Sequence, residues 1–297
     1  MDSVPLISDP VPDERPELEL PKVPVVEARI WGARGSVPTP LAGTCRYGGN
    51  TPCVELVFSN KQRIILDAGT GIRGLGVELS RRQKPDLDFH IFFSHFHWDH
   101  VQGLPFFTPL YDPAATVTFY SSRCPQELRE ILHRQMVTPY FPVLFDDLAA
   151  SMRFEQVSES PLTLGEVEIS SFALNHPQGA HGYRVSHRGS TVVYATDHEH
   201  GVEEADQRLL NAAHGADLLF YDAQFTPEEY PSHRGWGHGS WCDAVKVAAK
   251  AGVKQLALFH HDPLHDDVHI DEIVQNARKE FPNTLGAMEG DTIPVLL

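Results

Sequence analysis

No run of about 18 consecutive apolar residues, the length a membrane-spanning helix needs, occurs anywhere in the 297-residue chain. The N-terminus is acidic and rich in proline, the reverse of the basic and then apolar order of a secretory signal. With neither segment present, a cytoplasmic protein without a membrane partner is expected. Cysteine is scarce: Cys45, Cys53, Cys124 and Cys242 stand apart, with no CxxC pair and no disulfide-framework spacing, so free thiols are expected. Basic residues are also few, 24 Lys and Arg against 40 Asp and Glu, giving a formal charge of −16. A long polyanion needs cations to displace its counterions, so a large nucleic acid is not expected as a partner. A small anionic substrate remains compatible with this charge, because bound divalent metals add local positive charge that a formal count ignores.

What is present falls into two parts. Residues 1–24 carry Pro5, Pro10, Pro12, Pro16, Pro21 and Pro24 among mostly acidic neighbours, a composition that reads as a flexible tail. From Val25 to the end, short apolar runs are punctuated by Gly and Pro, and one domain over 25–297 is the simplest account. Strands are expected at Val25–Trp31, Cys53–Phe58, Arg63–Asp67, Phe89–Ser94, Val117–Tyr120, Val167–Leu174, His181–Ser186, Thr191–Ala195, Asp217–Tyr221 and Gln255–Phe259. Helices are expected at Gly71–Arg82, Pro125–Met136, Glu204–Ala213, Ser240–Lys250 and Ile270–Phe281. Strands and helices mixed in this way predict a layered α/β domain with sheets inside and helices outside.

The segment FFSHFHWDHVQG sets His95, His97, Asp99 and His100 directly after an apolar run that reads as a buried strand. Alternate side chains of an extended chain share a face, so His95 and His97 can reach one ion while a turn aims Asp99 and His100 at a neighbour. Imidazole and carboxylate suit zinc, and also manganese and iron. Two ions need further ligands, and His176, Asp197 and His260 each stand at the end of an expected strand, where a rigid scaffold opens onto loops.

The order GARGSVPTP, LDAGTG, SHFHWDH, NHP, YATD, GHGS and LFHHDP resembles the phosphodiesterase branch of the metallo-β-lactamase superfamily, over most of the chain from Val25. Within it the chain is similar to the transfer RNA 3′-processing endonucleases and to small cyclic nucleotide phosphodiesterases of the anti-Pycsar type. The resemblance implies an αββα sandwich with a binuclear site of two Zn²⁺ at one edge, Mn²⁺ being the alternative metal. It assigns His95, His97 and His176 to one ion and Asp99, His100 and His260 to the other, with Asp197 bridging. LFHH offers both His260 and His261 for the last position, and His260 is chosen because it follows the apolar strand directly. His198 and His200 in DHEH are read as lying outside the ligand set.

For the chemistry, two ions would lower the pKa of a shared water and make hydroxide the nucleophile, and the departing alkoxide would then need a proton. The resemblance makes His238 of GHGS the general acid and Asp222 of FYDAQF the carboxylate that orients it. Asp67 of ILDAGTG is expected to orient a ligand histidine, and Arg34 and Ser36 to border the substrate pocket. Tyr140, Phe141, Pro142 and Phe145 suggest a cap that stacks on a nucleobase. The family members of cyclic nucleotide type are homodimers, so this cap is expected to act within a homodimer. The favoured substrate is a small phosphodiester such as a cyclic nucleotide. Transfer RNA processing, acyl hydrolysis of lactone type, and a silent nucleotide-binding module are the competing readings.

Overall fold

The computed structural model describes residues 24–81, 87–158 and 160–296, so the expected tail lies outside the described residues except for its last position. The first half builds β1 (Val26–Gly32), β2 (Cys53–Phe58), β3 (Arg63–Leu66), α1 (Ile72–Ser80), β4 (Asp88–Phe92), α2 (Trp98–Val101), β5 (Thr116–Ser121), α3 (Pro125–Gln135) and β6 (Ser151–Gln156). The second half adds β7 (Leu162–Leu164), β8 (Val167–Leu174), β9 (Ala180–His187), β10 (Ser190–Ala195), α4 (Glu203–Ala213) and β11 (Leu218–Asp222). It ends with α5 (Trp241–Ala251), β12 (Gln255–Phe259), α6 (Asp267–Glu280), β13 (Thr284–Gly286) and β14 (Thr292–Val295).

These strands form two seven-stranded sheets, β14-β1-β2-β3-β4-β5-β6 and β13-β12-β11-β10-β9-β8-β7. The apolar runs are buried on both faces and divide by alternation. In β12, Ala257 and Phe259 face the layer between the sheets with Phe92, Tyr183 and Tyr194, whereas Leu256 and Leu258 face Leu209, Val247 and Ile270 of the outer helices. In β4, Phe92 points inward while Phe89 and Ile91 pack on Leu75, Leu79, Leu128 and Leu132 of α1 and α3. The result is four layers, helix, sheet, sheet and helix, the αββα sandwich that was expected.

Helix boundaries follow local chemistry. Ser240 caps α5 by accepting the Asp243 amide, Gly252 closes it in the left-handed region at φ 66°, and Asp266 caps α6 by accepting the His269 amide. The expected helices are all found, with described ends displaced by up to three residues; Arg82, the expected end of the first, lies outside the described residues. Four strands were missed: β6, half-exposed at a sheet edge, and the short β7, β13 and β14, none of which carries a long apolar run. The turn expected at Asp99 and His100 is the short helix α2.

Strand direction decides where function sits. β3 to β6 run parallel to one another, as do β10 to β13, and the two sets end at a common edge. Asp67, Asp197, Asp222 and His260 all stand at or just beyond the carboxyl ends of these parallel strands. Loops at such ends are free to carry function on a rigid base.

Candidate metal centre

Beyond β4 the chain leaves the sheet, runs through His95 and His97, and turns into α2, which brings Asp99 and His100 back over the sheet edge. His176 arrives two residues after β8, Asp197 two after β10, and His260 immediately after β12. Asp67, Asp197 and His260 all adopt the left-handed conformation, at φ 60°, 58° and 60°. Such backbone costs about 1–3 kcal/mol per non-glycine residue and clusters at functional sites. All seven side chains named as metal ligands converge.

Their donor atoms form two groups. In the first, Asp99 Oδ2, His100 Nε2, His260 Nε2 and Asp197 Oδ2 stand 3.1–3.5 Å from one another along the pairs formed by His100 and His260. In the second, His176 Nε2 lies 3.1 Å from His97 Nδ1, while His95 Nε2 and His176 Nε2 lie 3.7 and 3.8 Å from Asp197 Oδ1. Four tetrahedral ligands at about 2.0–2.1 Å from zinc stand about 3.3 Å apart, close to these separations. Asp197 turns one oxygen to each group. His95 Nε2 is buried and has no hydrogen-bond partner, which a metal at that point would supply.

The surroundings fix the orientation of three of the rings. His100 donates Nδ1–H to Asp67, which also accepts the Ser94 amide and hydroxyl and the Tyr194 hydroxyl. His176 donates Nδ1–H to the Gly237 carbonyl, and His260 donates Nδ1–H to Gln224 Oε1. In each case Nε2 is left with its lone pair toward the centre, the arrangement by which neighbours tune a metal ligand. Glycine is required where the chain passes these rings: a Cβ on Gly35 would lie 2.4 Å from His260 Nδ1, and one on Gly237 2.2 Å from His176 Nδ1. Ser36, next to Gly35, donates its amide to Asp99 Oδ2 at 2.8 Å.

Charge tells the same story. Burial would raise the carboxyl pKa of Asp197, but His260 and His100 outweigh it and hold the group ionised, and His100 and His260 do the same for Asp99. Burial pushes His95 and His176 below the usual imidazole range, toward the neutral form. Ionised carboxylates and neutral imidazoles are the forms that bind metal. His100 is pulled the other way: burial lowers its pKa, yet Asp197, Asp99 and Asp67 raise it well above the usual value, so this nest of carboxylates calls for a cation.

Beside this centre His238 stacks on His260, with ring centres 4.9 Å apart, and places Nδ1 2.8 Å from Asp222 Oδ2. Asp222 is fully buried and also accepts the amides of Asp197, Gln224 and Gly239. Burial lowers the His238 pKa, but the Asp222 carboxylate prevails and raises it to about 9. Cations bound at Asp197 would bring it down again.

Other expectations sort themselves by position. His261 points away from the centre and meets the Ala287 carbonyl, and burial together with Arg34 lowers its pKa to about 3. His198 bonds Asp206 and the Asn175 amide, and His200 is exposed, so both lie outside the donor groups. Ser36 borders the hollow over the centre, but Arg34 does not: it is buried and donates to the carbonyls of Gly48, Asp262 and His265, pinning the GARGS loop to the loop after β12. The expected aromatic cap does not line that hollow. Phe145 is core, Phe141 packs edge-on against Phe106, and Tyr140 is exposed. Gln224 was missed, because a glutamine in an apolar strand end carries no ligand signal of its own.

An αββα sandwich with a histidine and aspartate centre at the shared edge of its sheets defines a metal-dependent hydrolase. Residues 62–261 match the model of the beta-lactamase superfamily domain, and the chain belongs to that family. It is 26% identical to a ribonuclease Z of Ignicoccus hospitalis, in an alignment that covers 69% of this chain and 80% of that one. It is 28% identical over 273 residues, 90% of each chain, to the uncharacterized protein Rv1339 of Mycobacterium tuberculosis. The metallo-beta-lactamase fold protein YhfI of Bacillus subtilis superposes with a TM-score of 0.69 at 19% identity, covering 90% of this chain and 98% of that one. Among the described residues no helix is long and apolar enough to cross a membrane.

Proposed function

We propose that this chain is a phosphodiesterase with two zinc ions that hydrolyses small phosphodiesters, cyclic nucleotides foremost. The observation that carries the reading is the Asp222 and His238 pair, 2.8 Å apart and set against the bridging Asp197. His95, His97, His176 and Asp197 Oδ1 would hold one ion, and Asp99, His100, His260 and Asp197 Oδ2 the other. When bound, two such ions polarise phosphoryl oxygens and make a water acidic enough to attack at neutral pH.

The chain's own residues supply the rest. With Nδ1–H given to Asp222, His238 keeps Nε2–H for the hollow and delivers that proton to the leaving oxygen as the phosphorus–oxygen bond breaks. Water contributes its oxygen to phosphorus, and its proton restores the imidazolium, leaving an alcohol and a phosphomonoester. Asp67, Gln224 and the Gly237 carbonyl hold the ligand rings in one tautomer throughout.

A hollow of about 460 Å³ over the centre and a net charge of −16 favour a small substrate. The ribonuclease Z relative favours transfer RNA processing as a second reading. A homodimer is part of the proposal, with the exposed Tyr140 loop reaching the partner's site. Metal analysis, followed by incubation with bis(p-nitrophenyl) phosphate, 3′,5′-cyclic nucleotides, a precursor transfer RNA, a lactone and a β-lactam, tests the reading. Turnover of acyl substrates alone would overturn it, and cleavage of the precursor RNA alone would select the second reading.

A further inference from the structure

The hollow over the metal centre does not end there. A second hollow of about 210 Å³ shares Phe96, His97 and Gln178 with it, and a third of about 470 Å³ shares Ser122, Arg123, Gln178 and Gly179 with the second. A groove therefore leads from His97, past the backbone of Gln178, to Arg123. Among the described residues Arg123 is the sole lysine or arginine on the walls of the three hollows, in a chain where acidic residues prevail 40 to 24.

Arg123 sits between β5 and α3, and its guanidinium is only lightly engaged. One arm meets Glu127 at 3.2 Å and another the Gln178 carbonyl at 3.5 Å. The Glu127 contact is an exposed pair one helical turn away, a kind that contributes little and yields readily to a stronger anion. The fork of donors on arginine matches phosphate in shape and charge. Among the described residues the Phe, Tyr and Trp side chains of the groove stand only at its near end, Phe96 and the exposed Trp98, whereas Ser122, Gln156, Ser158 and His181 line the far end. A base therefore fits beside the centre, and a charged group fits beyond it.

We propose that Arg123 is the anchor of a second phosphate subsite, so that the preferred substrate carries another phosphate beside the diester that is cut. This rests on the phosphodiesterase reading above and narrows its substrate class to nucleotides with at least two phosphates. The metal-loaded full chain should be assayed on thymidylyl-thymidine bare, with a 5′-phosphate and with a 3′-phosphate, alongside bis(p-nitrophenyl) phosphate. One of the two phosphorylated forms should be preferred about 10- to 100-fold in kcat/KM, mainly through KM, the worth of a charge-assisted bidentate hydrogen bond. In Arg123→Met that ratio should fall to near 1, and Arg123→Lys should keep part of it. A wild-type ratio near 1, a ratio that survives Arg123→Met, or turnover of bis(p-nitrophenyl) phosphate with neither phosphorylated dinucleotide cut would overturn the subsite alone. Failure to cut any diester would overturn the phosphodiesterase reading and the subsite together.

Discussion

Replacing Gln224 by leucine tests how one metal group is held. Gln224 is buried, and its amide nitrogen lies 3.3 Å from Asp262 Oδ2, which can only accept. That contact fixes the amide so that Oε1 faces His260, accepts Nδ1–H at 3.0 Å, and leaves the Nε2 lone pair toward the centre. With leucine the buried N–H has no acceptor, at a cost of about 1–3 kcal/mol. The ring can relieve this by moving its proton to Nε2, which lies 3.1 Å from Asp99 Oδ2. Metal would then have to break the new hydrogen bond before binding. Affinity at the Asp99, His100 and His260 group should fall about 10- to 100-fold, the usual effect of losing such a support, while the His95, His97 and His176 group keeps its own. Competition titration of the metal-stripped full chain with a chelating dye resolves the two classes, and thermal unfolding of the stripped protein controls for folding. Gln224→Glu alone sets two carboxylates against each other, and Asp262→Asn added to it restores a donor facing an acceptor, so the double variant should bind more tightly than Gln224→Glu. Equal weakening of both classes, or none, would refute the tautomer argument.

Asp197→Ala removes the carboxylate shared by both donor groups and should lower metal content and nearly abolish hydrolysis; elemental analysis of the purified variant checks this, and full metal content would remove Asp197 from the site. His238→Ala should slow a 3′,5′-cyclic nucleotide about 10²- to 10⁴-fold but bis(p-nitrophenyl) phosphate much less, because p-nitrophenolate leaves without a proton. Equal losses on the two substrates with metals retained would deny His238 the acid role. Arg63→Met strips the fully buried Glu55 of its 2.6 Å ion-pair partner, leaving the Trp31 indole as its remaining donor. Urea unfolding should show a loss of about 3–5 kcal/mol, and a loss under about 1 kcal/mol would mean that water reaches Glu55.

The sequence by itself determined the layers and most of the centre. Runs such as LALF at 256–259 are apolar at every position, which forces burial on both faces and hence sheets between helices. HxHxDH places four donors within six residues, so local chain geometry alone brings them together. His176, Asp197 and His260 were legible because each follows a strong apolar strand. Tertiary structure decided the rest. Which of His260 and His261 faces the centre depends on the left-handed turn at His260 and on Gln224 behind it, contacts that join distant segments. Arg34 looked like a pocket residue in a glycine-rich loop, and only the approach of the loop after β12 buries it among carbonyls. The aromatic residues near Tyr140 looked like a cap, yet packing against Phe106 and the core claims two of them. The groove to Arg123 exists only because the segments after β5 and β8 meet, and hydrophobic patterning, which fixes which face is buried, carries no information about which distant loops touch.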